Sequence, residues 1–265
     1  LQLEPTLKHA RDDRAGDSDV AVAFDDVTLQ YKNAGEPSLE HISFTVPRGS
    51  VVGIIGGTGS GKSSLVSLIP HFYDVKDGRV SVFGKNVCAY DDEDLRHRIG
   101  YVQQKAVLFQ GTVRSNLLWG DDSASDDDLR TALSTAQVLD ILADKGGLDA
   151  PVEQNGANFS GGQKQRLSVA RALVRKPQIL VLDDSSSALD YATEAAMRKA
   201  ILALPYKPTL FIVSQRASSV MCADRILVLE DGRLVGDGTH KALLANCPAY
   251  CEIYHSQFSE EVTDA

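Results

Sequence analysis

The residues with the clearest chemical pattern are a run of glycines that ends in Lys62-Ser63. The run fits G-x-x-x-x-G-K-[ST], follows the apolar stretch 51–55 and precedes a helical pattern. Glycines let backbone N–H groups surround an anion, and the helix N-terminus adds positive potential. Lys62 is expected to reach the β- and γ-phosphates, and Ser63 to ligate Mg²⁺. The pattern predicts a triphosphate site formed by Gly57, Thr58, Gly59, Ser60, Gly61, Lys62, Ser63 and Ser64.

Two carboxylates, Asp183 and Asp184, follow the apolar run 179–182. Open parallel sheets bind ligands at the carboxyl ends of their strands. Asp183 is therefore predicted to hold Mg²⁺, as the corresponding acid does in other P-loop nucleotide hydrolases. The alternative is an acidic turn that merely ends a strand.

A third motif, Phe159-Ser160-Gly161-Gly162-Gln163, leads into a helical pattern shortly before the carboxylate strand. Small residues that open a helix form a second anion-binding arrangement of N–H groups. Alone, such a motif is weakly specific. Its order and spacing relative to the other two motifs make it specific.

Together, the three motifs resemble the nucleotide-binding domain of an ATP-binding cassette (ABC) transporter, from Val20 to about Phe258. The resemblance implies an α/β fold: a P-loop NTPase core with an antiparallel β subdomain and an α-helical subdomain over about 105–175. It also implies that ATP and Mg²⁺ are bound, and that two such domains enclose ATP head to tail. In that arrangement, nucleotide on the other domain's phosphate loop would contact Ser160, Gly161, Gly162 and Gln163.

Three further positions match the family's pattern. Tyr31 looks like the aromatic residue that stacks on adenine, although an ordinary edge-strand tyrosine is the alternative. Gln104 aligns with the glutamine that senses Mg²⁺ and contacts the transmembrane coupling helix, but Gln103 stands where the family commonly has proline. Segment 187–190, which ends at Asp190, resembles the loop that communicates between the two sites. Asp190 could also simply cap a helix, and both roles are compatible.

Segment 107–116 resembles the region after the glutamine loop in exporters, whose cassette follows a transmembrane domain in the same polypeptide. Residues 1–19 are polar and charged, as expected of a linker from a missing transmembrane domain, and residues 259–265 would form a C-terminal tail. The resemblance thus implies a soluble domain at the cytoplasmic face of a membrane. A non-transport ABC ATPase that clamps ribosomes or DNA is the alternative from another class.

Two residues depart from the family's pattern. Asp184 replaces the catalytic glutamate, and one fewer methylene shortens its reach by roughly 1.5 Å. Gln215 replaces the switch histidine, and an amide cannot carry a proton at neutral pH. Both changes weaken hydrolysis at the pocket centred on Lys62, while the motif beginning at Ser160 is intact.

This combination resembles one half of a heterodimeric exporter. The chain's own pocket would bind ATP and hydrolyse it slowly, and Ser160 and Gly162 would complete an active pocket on a different partner cassette. The alternative is a homodimer in which Asp184 acts as a slower base.

The elements that must position these motifs follow from hydrophobic periodicity. Alternation at 20–24 and 42–46 predicts antiparallel strands, whereas the apolar runs 51–55, 179–182 and 210–213 predict buried parallel strands. The acidic segment 121–150 predicts a helical insertion with periodicity from Leu129. Asp231-Gly232 predicts a hairpin, and Thr239 is expected to cap a short helix through Leu244.

Composition limits the partners. The formal net charge of -9 argues against nucleic acid as a partner, because binding to a phosphate backbone relies on clustered Lys and Arg. The four cysteines lack CxxC spacing and predict reduced thiols in a cytosolic setting. No apolar run approaches the ~20 residues that would cross a bilayer.

Overall fold

The computed structural model describes residue 7 and residues 18–32, 34–185 and 188–258. The chain divides into two compact units. The first holds the described residues through Arg96 together with those from Ile212 onward, and the second is His97–Phe211. The predicted tail at 259–265, most of the predicted linker at 1–19, and Ser187 of the predicted communicating loop lie outside the described residues.

Strands and helices alternate through most of the described chain. In chain order they are β1 (Val20–Leu29), β2 (Leu39–Pro47), β3 (Val51–Ile55), α1 (Lys62–Ser67), β4 (Asp77–Val82), β5 (Lys85–Asn86), α2 (Asp92–Arg98), β6 (Ile99–Val102), β7 (Gly111–Thr112), α3 (Val113–Leu118), α4 (Asp126–Thr135), α5 (Leu139–Ala143), β8 (Pro151–Val152), α6 (Gly161–Val174), β9 (Ile179–Asp183), α7 (Tyr191–Leu202), β10 (Thr209–Val213), α8 (Ala217–Val220), β11 (Arg225–Glu230), β12 (Arg233–Gly238), α9 (His240–Asn246) and α10 (Pro248–Phe258).

An antiparallel sheet of order β2-β1-β4-β5 lies in the first unit. Side chains along β2 alternate between buried and exposed, as the period-two pattern predicts. Phe24 of β1 pairs with Phe44 of β2, and their rings stack with centroids 4.6 Å apart. The predicted antiparallel strands are confirmed, and their apolar faces form the core of this sheet.

Strand β3 is buried along its whole length and pairs in parallel with β11. Strands β11 and β12 pair antiparallel through the predicted hairpin. Asp231 and Gly232 at its turn have φ of 46° and 74°, the left-handed values that a type I′ turn requires. Thr239 caps α9 with its hydroxyl, as predicted, but the helix ends at Asn246, two residues later than expected.

In the second unit, β6 and β9 pair in parallel, and β9 stands between α6 and α7 in the chain. The predicted insertion at 121–150 is helical in α4 and α5. Helix α4 begins at Asp126, before the apolar periodicity starts, because Ser125 and Asp128 form a capping box. Acidic side chains fill its first turn, where their negative charge interacts favourably with the positive end of the helix dipole.

Two predictions concern the chain as a whole. All four cysteines, which lie in the described residues, are free thiols. Among the described residues, no helix combines the length and apolar character needed to cross a bilayer.

Candidate nucleotide-binding site

The predicted phosphate loop connects β3 to α1 and is fixed by its glycines. Gly59 and Gly61 have φ of 82° and 97°, so both take the left-handed conformation that glycine adopts at little cost. A Cβ on Gly56 would lie 2.2 Å from the carbonyl oxygen of Leu229, so this residue must also be small. By contrast, a Cβ on Gly57 would meet nothing within 4 Å.

Helix α1 starts inside this loop, with Gly61 as its N-cap and no side-chain capping bond. The first N–H groups of a helix have no partner within the helix, and they make its N-terminus suitable for phosphate. Ser63 is exposed in the first turn, where its hydroxyl can ligate a cation. The loop therefore fits the phosphates of a nucleotide.

Lys62 brings a positive charge into the loop although its side chain is only 8% exposed. Its Nζ donates to the carbonyl oxygens of Gly56 at 2.9 Å and Gly57 at 2.6 Å, and to Ser60 Oγ at 3.3 Å. Phosphate oxygens would offer stronger, charge-assisted hydrogen bonds to the same ammonium group. The position of Lys62 therefore supports its predicted contact with phosphate.

Tyr31 lies beside the start of α1. Its hydroxyl donates a 2.9 Å hydrogen bond to Ser64 Oγ, and its ring meets Tyr73 edge-on at 4.9 Å. Tyr31 lies two residues beyond the end of β1 at Leu29. The contact with Ser64 joins two of the residues predicted to bind nucleotide.

Gln215 follows β10 and reaches the phosphate loop. Thr58 Oγ1 donates to Gln215 Oε1 at 3.4 Å, and Gln257 Nε2 donates to the backbone oxygen of Gln215 at 2.8 Å. The position predicted to hold the family's switch residue is thus next to the loop predicted to hold the phosphates. Gln257 and Thr58 fix it from two sides.

In the second unit, Asp183 ends β9 with a side chain that is 6% exposed. Tyr101 of the neighbouring strand β6 donates its hydroxyl to Asp183 Oδ2 at 2.9 Å. Tyr101 was not among the predicted site residues, because its only signal in the sequence is its position in the segment that precedes Gln104. Because carboxylate oxygens are preferred ligands of Mg²⁺, Asp183 fits its predicted role.

Asp184 turns away from the strand in a left-handed conformation, with φ of 44°. Gln104 Nε2 donates to Asp184 Oδ2 at 2.9 Å. The predicted residues Gln104, Asp183 and Asp184 therefore form one cluster at the ends of β6 and β9.

The motif at 160–163 starts helix α6 through a reciprocal capping box. Gln163 N–H donates to Ser160 Oγ at 3.3 Å, while Ser160 N–H donates to Gln163 Oε1 at 3.1 Å. A Cβ on Gly162 would lie 2.9 Å from the carbonyl oxygen of Ala188, so the motif packs closely on the predicted communicating loop. Ser160 and Gly161 remain exposed.

Two side chains hold this region in place. Asp190 caps α7 by accepting from Thr193 N–H at 2.9 Å, so its predicted capping role is confirmed. Arg166 of α6 donates to the backbone oxygen of Gln137 at 2.6 Å and to that of Gly162 at 3.3 Å. Burial lowers the pKa of Arg166, and the nearby charge of Asp190 opposes that shift.

The predicted residues thus form two groups. The first unit contains Tyr31, the phosphate loop, Ser64 and Gln215, whereas the second contains Gln104, Asp183, Asp184, Asp190 and the motif at 160–163. A glycine-rich loop between a buried parallel strand and a helix, with acids at the end of another strand, defines a P-loop nucleotide-binding domain. The profile of the ABC transporter family matches residues 39–187, and the chain belongs to this family.

Known proteins refine this assignment. The chain is 44% identical over 245 residues to the ABC transporter ATP-binding protein YfiB of Bacillus subtilis (strain 168), covering 92% of the chain and 42% of that protein. It is 39% identical over 241 residues to the ATP-dependent lipid A-core flippase of Haemophilus ducreyi (strain 35000HP), covering 90% and 41%. The chain therefore spans about two fifths of the length of these relatives.

A solved structure of a bacterial Atm1-family ABC exporter with ATP bound superposes with a TM-score of 0.88. It is 34% identical, and the match covers 97% of this chain and 44% of that one. The predicted fold class, the mixed α/β fold of ABC ATPases, is confirmed. The chain is an ABC transporter ATP-binding domain of the exporter type.

Proposed function

We propose that this chain binds ATP and drives the export of a substrate across a membrane as part of a longer transporter. The similarity to a lipid A-core flippase and to an ABC exporter supports this role. Those proteins are more than twice as long as the matched region, and the remainder would contain the transmembrane domains. The domain would work at the cytoplasmic face of the membrane.

We assign the nucleotide contacts by residue type and local position. Tyr31 stacks on adenine, and the phosphate loop with Lys62 binds the phosphates. Ser63, Gln104 and Asp183 hold Mg²⁺, which when bound neutralises charge on the phosphate oxygens. The buried ammonium group of Lys62, held within the loop by three hydrogen bonds, supports this assignment.

Hydrolysis at this chain's own pocket would be slow. The observation that carries this proposal is the contact of Gln215 with Thr58 of the phosphate loop, since an amide in this position cannot carry a proton. Asp184 adds to the effect because its carboxylate is short and is held by Gln104. A displacement of about 1 Å at a reacting group can cost ~10²-fold in rate.

A second ABC cassette would pair with this one, head to tail, around ATP. The exposed Ser160 and Gly161 at the start of α6 would contact nucleotide bound by the partner. A different partner with an intact glutamate and histidine would give one active and one slow pocket. We therefore propose a heterodimer.

Binding is tested by titrating the purified chain with ATP and Mg²⁺. Lys62→Ala removes several charge-assisted hydrogen bonds worth about 1.5–3 kcal/mol each, so affinity should fall by at least about 10-fold. Lys241→Ala, which changes an exposed lysine of α9, is the control and should bind as the unaltered chain does. Equal affinity of all three proteins would contradict the assignment.

Asymmetry is tested in the full transporter by placing Ser160→Ala or Lys62→Ala in this cassette alone. A heterodimer with one active pocket should lose most of its ATPase activity with Ser160→Ala and far less with Lys62→Ala. In a homodimer, both changes enter every pocket and both should abolish activity. Equal losses from the two variants would therefore exclude the asymmetric arrangement.

A further inference from the structure

Three side chains of different chemistry meet in the first unit, and none has been assigned to nucleotide. His71 and Asp74 lie in the turn that follows α1, and Cys88 lies in a 3₁₀ turn, Val87–Ala89, after β5. A ring nitrogen of His71, a carboxylate oxygen of Asp74 and the sulfur of Cys88 all lie within 4.8 Å of one another. Imidazole, carboxylate and thiolate are the three common ligands of zinc in proteins.

Two of the three separations between these atoms are close to those around a tetrahedral ion. His71 Nε2 is 3.6 Å from Cys88 Sγ and 3.0 Å from Asp74 Oδ1. Metal bonds of 2.0–2.3 Å at tetrahedral angles separate ligand atoms by roughly 3.3–3.6 Å. The distance from His71 to the sulfur already has this value, and the distance from His71 to the carboxylate requires a shift of a few tenths of an ångström. The ligand atoms of Asp74 and Cys88 lie within 4.8 Å of each other.

The local backbone holds the ligands in place. His71 is 1% exposed and has φ of 54°, a left-handed conformation that is uncommon for residues other than glycine. The N–H of Cys88 donates to Asn86 Oδ1 at 3.1 Å, which fixes the turn carrying the thiol. Asp74 and Cys88 are partly exposed, so an ion can enter from solvent.

An outer carboxylate faces the other ring nitrogen of His71. Asp92 Oδ1 lies 3.9 Å from His71 Nδ1, and Arg96 binds the other oxygen of Asp92 at 3.2 Å. Histidines that ligate a metal commonly direct their second nitrogen toward a carboxylate, which orients the ring and increases its basicity. At 3.9 Å the contact with Asp92 is longer than a hydrogen bond, and Nε2 is the ring nitrogen that lies beside Asp74 and Cys88.

We propose that His71 Nε2, the Asp74 carboxylate and the Cys88 thiolate form a zinc site, with water as the fourth ligand. Binding would release the thiol proton to solvent, and the two anionic ligands would balance the charge of Zn²⁺. Thiolate and imidazole favour zinc over Mg²⁺, so the site would fill independently of ATP and its cation. The ion would join the turn after α1 to the turn after β5.

The test is a zinc titration of the reduced, purified chain against a chelating dye, in excess Mg²⁺. The unaltered chain should bind one zinc. Cys88→Ser and His71→Ala should each lower the affinity by about 100-fold or more, and Asp92→Asn should have a smaller effect than either. Cobalt should give a sulfur-to-cobalt charge-transfer band that Cys88→Ser abolishes.

Two matched controls are available in the same unit. Cys222→Ser removes an exposed thiol outside the proposed site. His41→Ala removes an exposed histidine that lies 2.8 Å from the carboxylate of Asp26 and is not part of the proposed site. Both should bind zinc as the unaltered chain does. Because His71 is buried, Cys88→Ser decides the matter if His71→Ala does not fold. No stoichiometric zinc in the unaltered chain, or full affinity in Cys88→Ser, would overturn the proposal.

Discussion

The side-chain amide nitrogen of Gln104 lies 2.9 Å from Oδ2 of Asp184, so two residues 80 positions apart in sequence share a hydrogen bond. Asp184 is also in the left-handed region, with φ of 44°. Its carboxylate direction is therefore set both by the backbone and by Gln104. Substitutions at position 184 can therefore test the backbone conformation, and a substitution of Gln104 can test the hydrogen bond by itself.

The backbone at position 184 should tolerate Asn and resist Val. Asn adopts the left-handed conformation readily, whereas a β-branched residue should lower the free energy of unfolding by about 1–2 kcal/mol. Urea denaturation of Asp184→Asn and Asp184→Val measures the difference. Gln104→Ala removes the hydrogen bond without changing the residue at 184. If it lowers the free energy of unfolding as much as Asp184→Val does, the destabilisation comes from loss of the hydrogen bond and not from the backbone conformation.

Restoring the family's residues should increase hydrolysis at this chain's pocket. Asp184→Glu extends the carboxylate, and adding Gln215→His supplies a group that can carry a proton at neutral pH. We expect the double variant to turn over ATP up to about 10²-fold faster than the unaltered chain, measured as phosphate release at saturating ATP. Asp184→Asn combined with Gln215→His is the control and should stay slow. Equal rates in both double variants would show that position 184 does not limit the reaction.

Two glycines of the phosphate loop should respond differently to alanine. A Cβ on Gly61 would lie 2.8 Å from Leu39 Cδ2 and 2.9 Å from the backbone oxygen of Ser38, at a left-handed φ, so Gly61→Ala should cost about 1–3 kcal/mol in unfolding free energy. A Cβ on Gly57 would meet no neighbouring protein atom, so Gly57→Ala should retain stability. Denaturation of both variants measures this. A Gly57→Ala protein as unstable as Gly61→Ala would contradict the loop geometry.

Acid should weaken the start of α4. Hydrogen bonds from Lys176 and Ser125 lower the pKa of Asp128 from 3.8 to about 2. Because the pKa of Asp128 is lower in the folded than in the unfolded protein, its ionised carboxylate stabilises the fold above about pH 4. This contribution is lost as the pH falls toward 2.

Melting temperatures of the unaltered chain and Asp128→Asn, measured from pH 6 to pH 2, test this effect. The difference between the two proteins should be largest above pH 4 and should shrink toward pH 2. Asp127→Asn is the control, since Asp127 lies in the same helical turn. A difference that is constant with pH would contradict the ionic contribution of Asp128.

Much of the local structure could be predicted because it depends on neighbouring residues. Alternation predicted the antiparallel β1 and β2, apolar runs predicted β3 and β9, and Asp231-Gly232 predicted the hairpin. The start of α4 differed because capping by Ser125 begins the helix ahead of the apolar pattern. The roles of Tyr31, Gln104, Asp183, Asp184 and Gln215 remain predictions.

The sequence by itself determined the family and the chemical types of the candidate site, since ordered motifs specify a phosphate loop, acids and a capped helix without coordinates. Only the tertiary structure decided which side chains meet. Tyr101 reaches Asp183 because β6 lies beside β9, Gln215 reaches Thr58, and Cys88 reaches His71. These contacts join residues far apart in sequence, and periodicity and local spacing do not encode which strands and turns become neighbours.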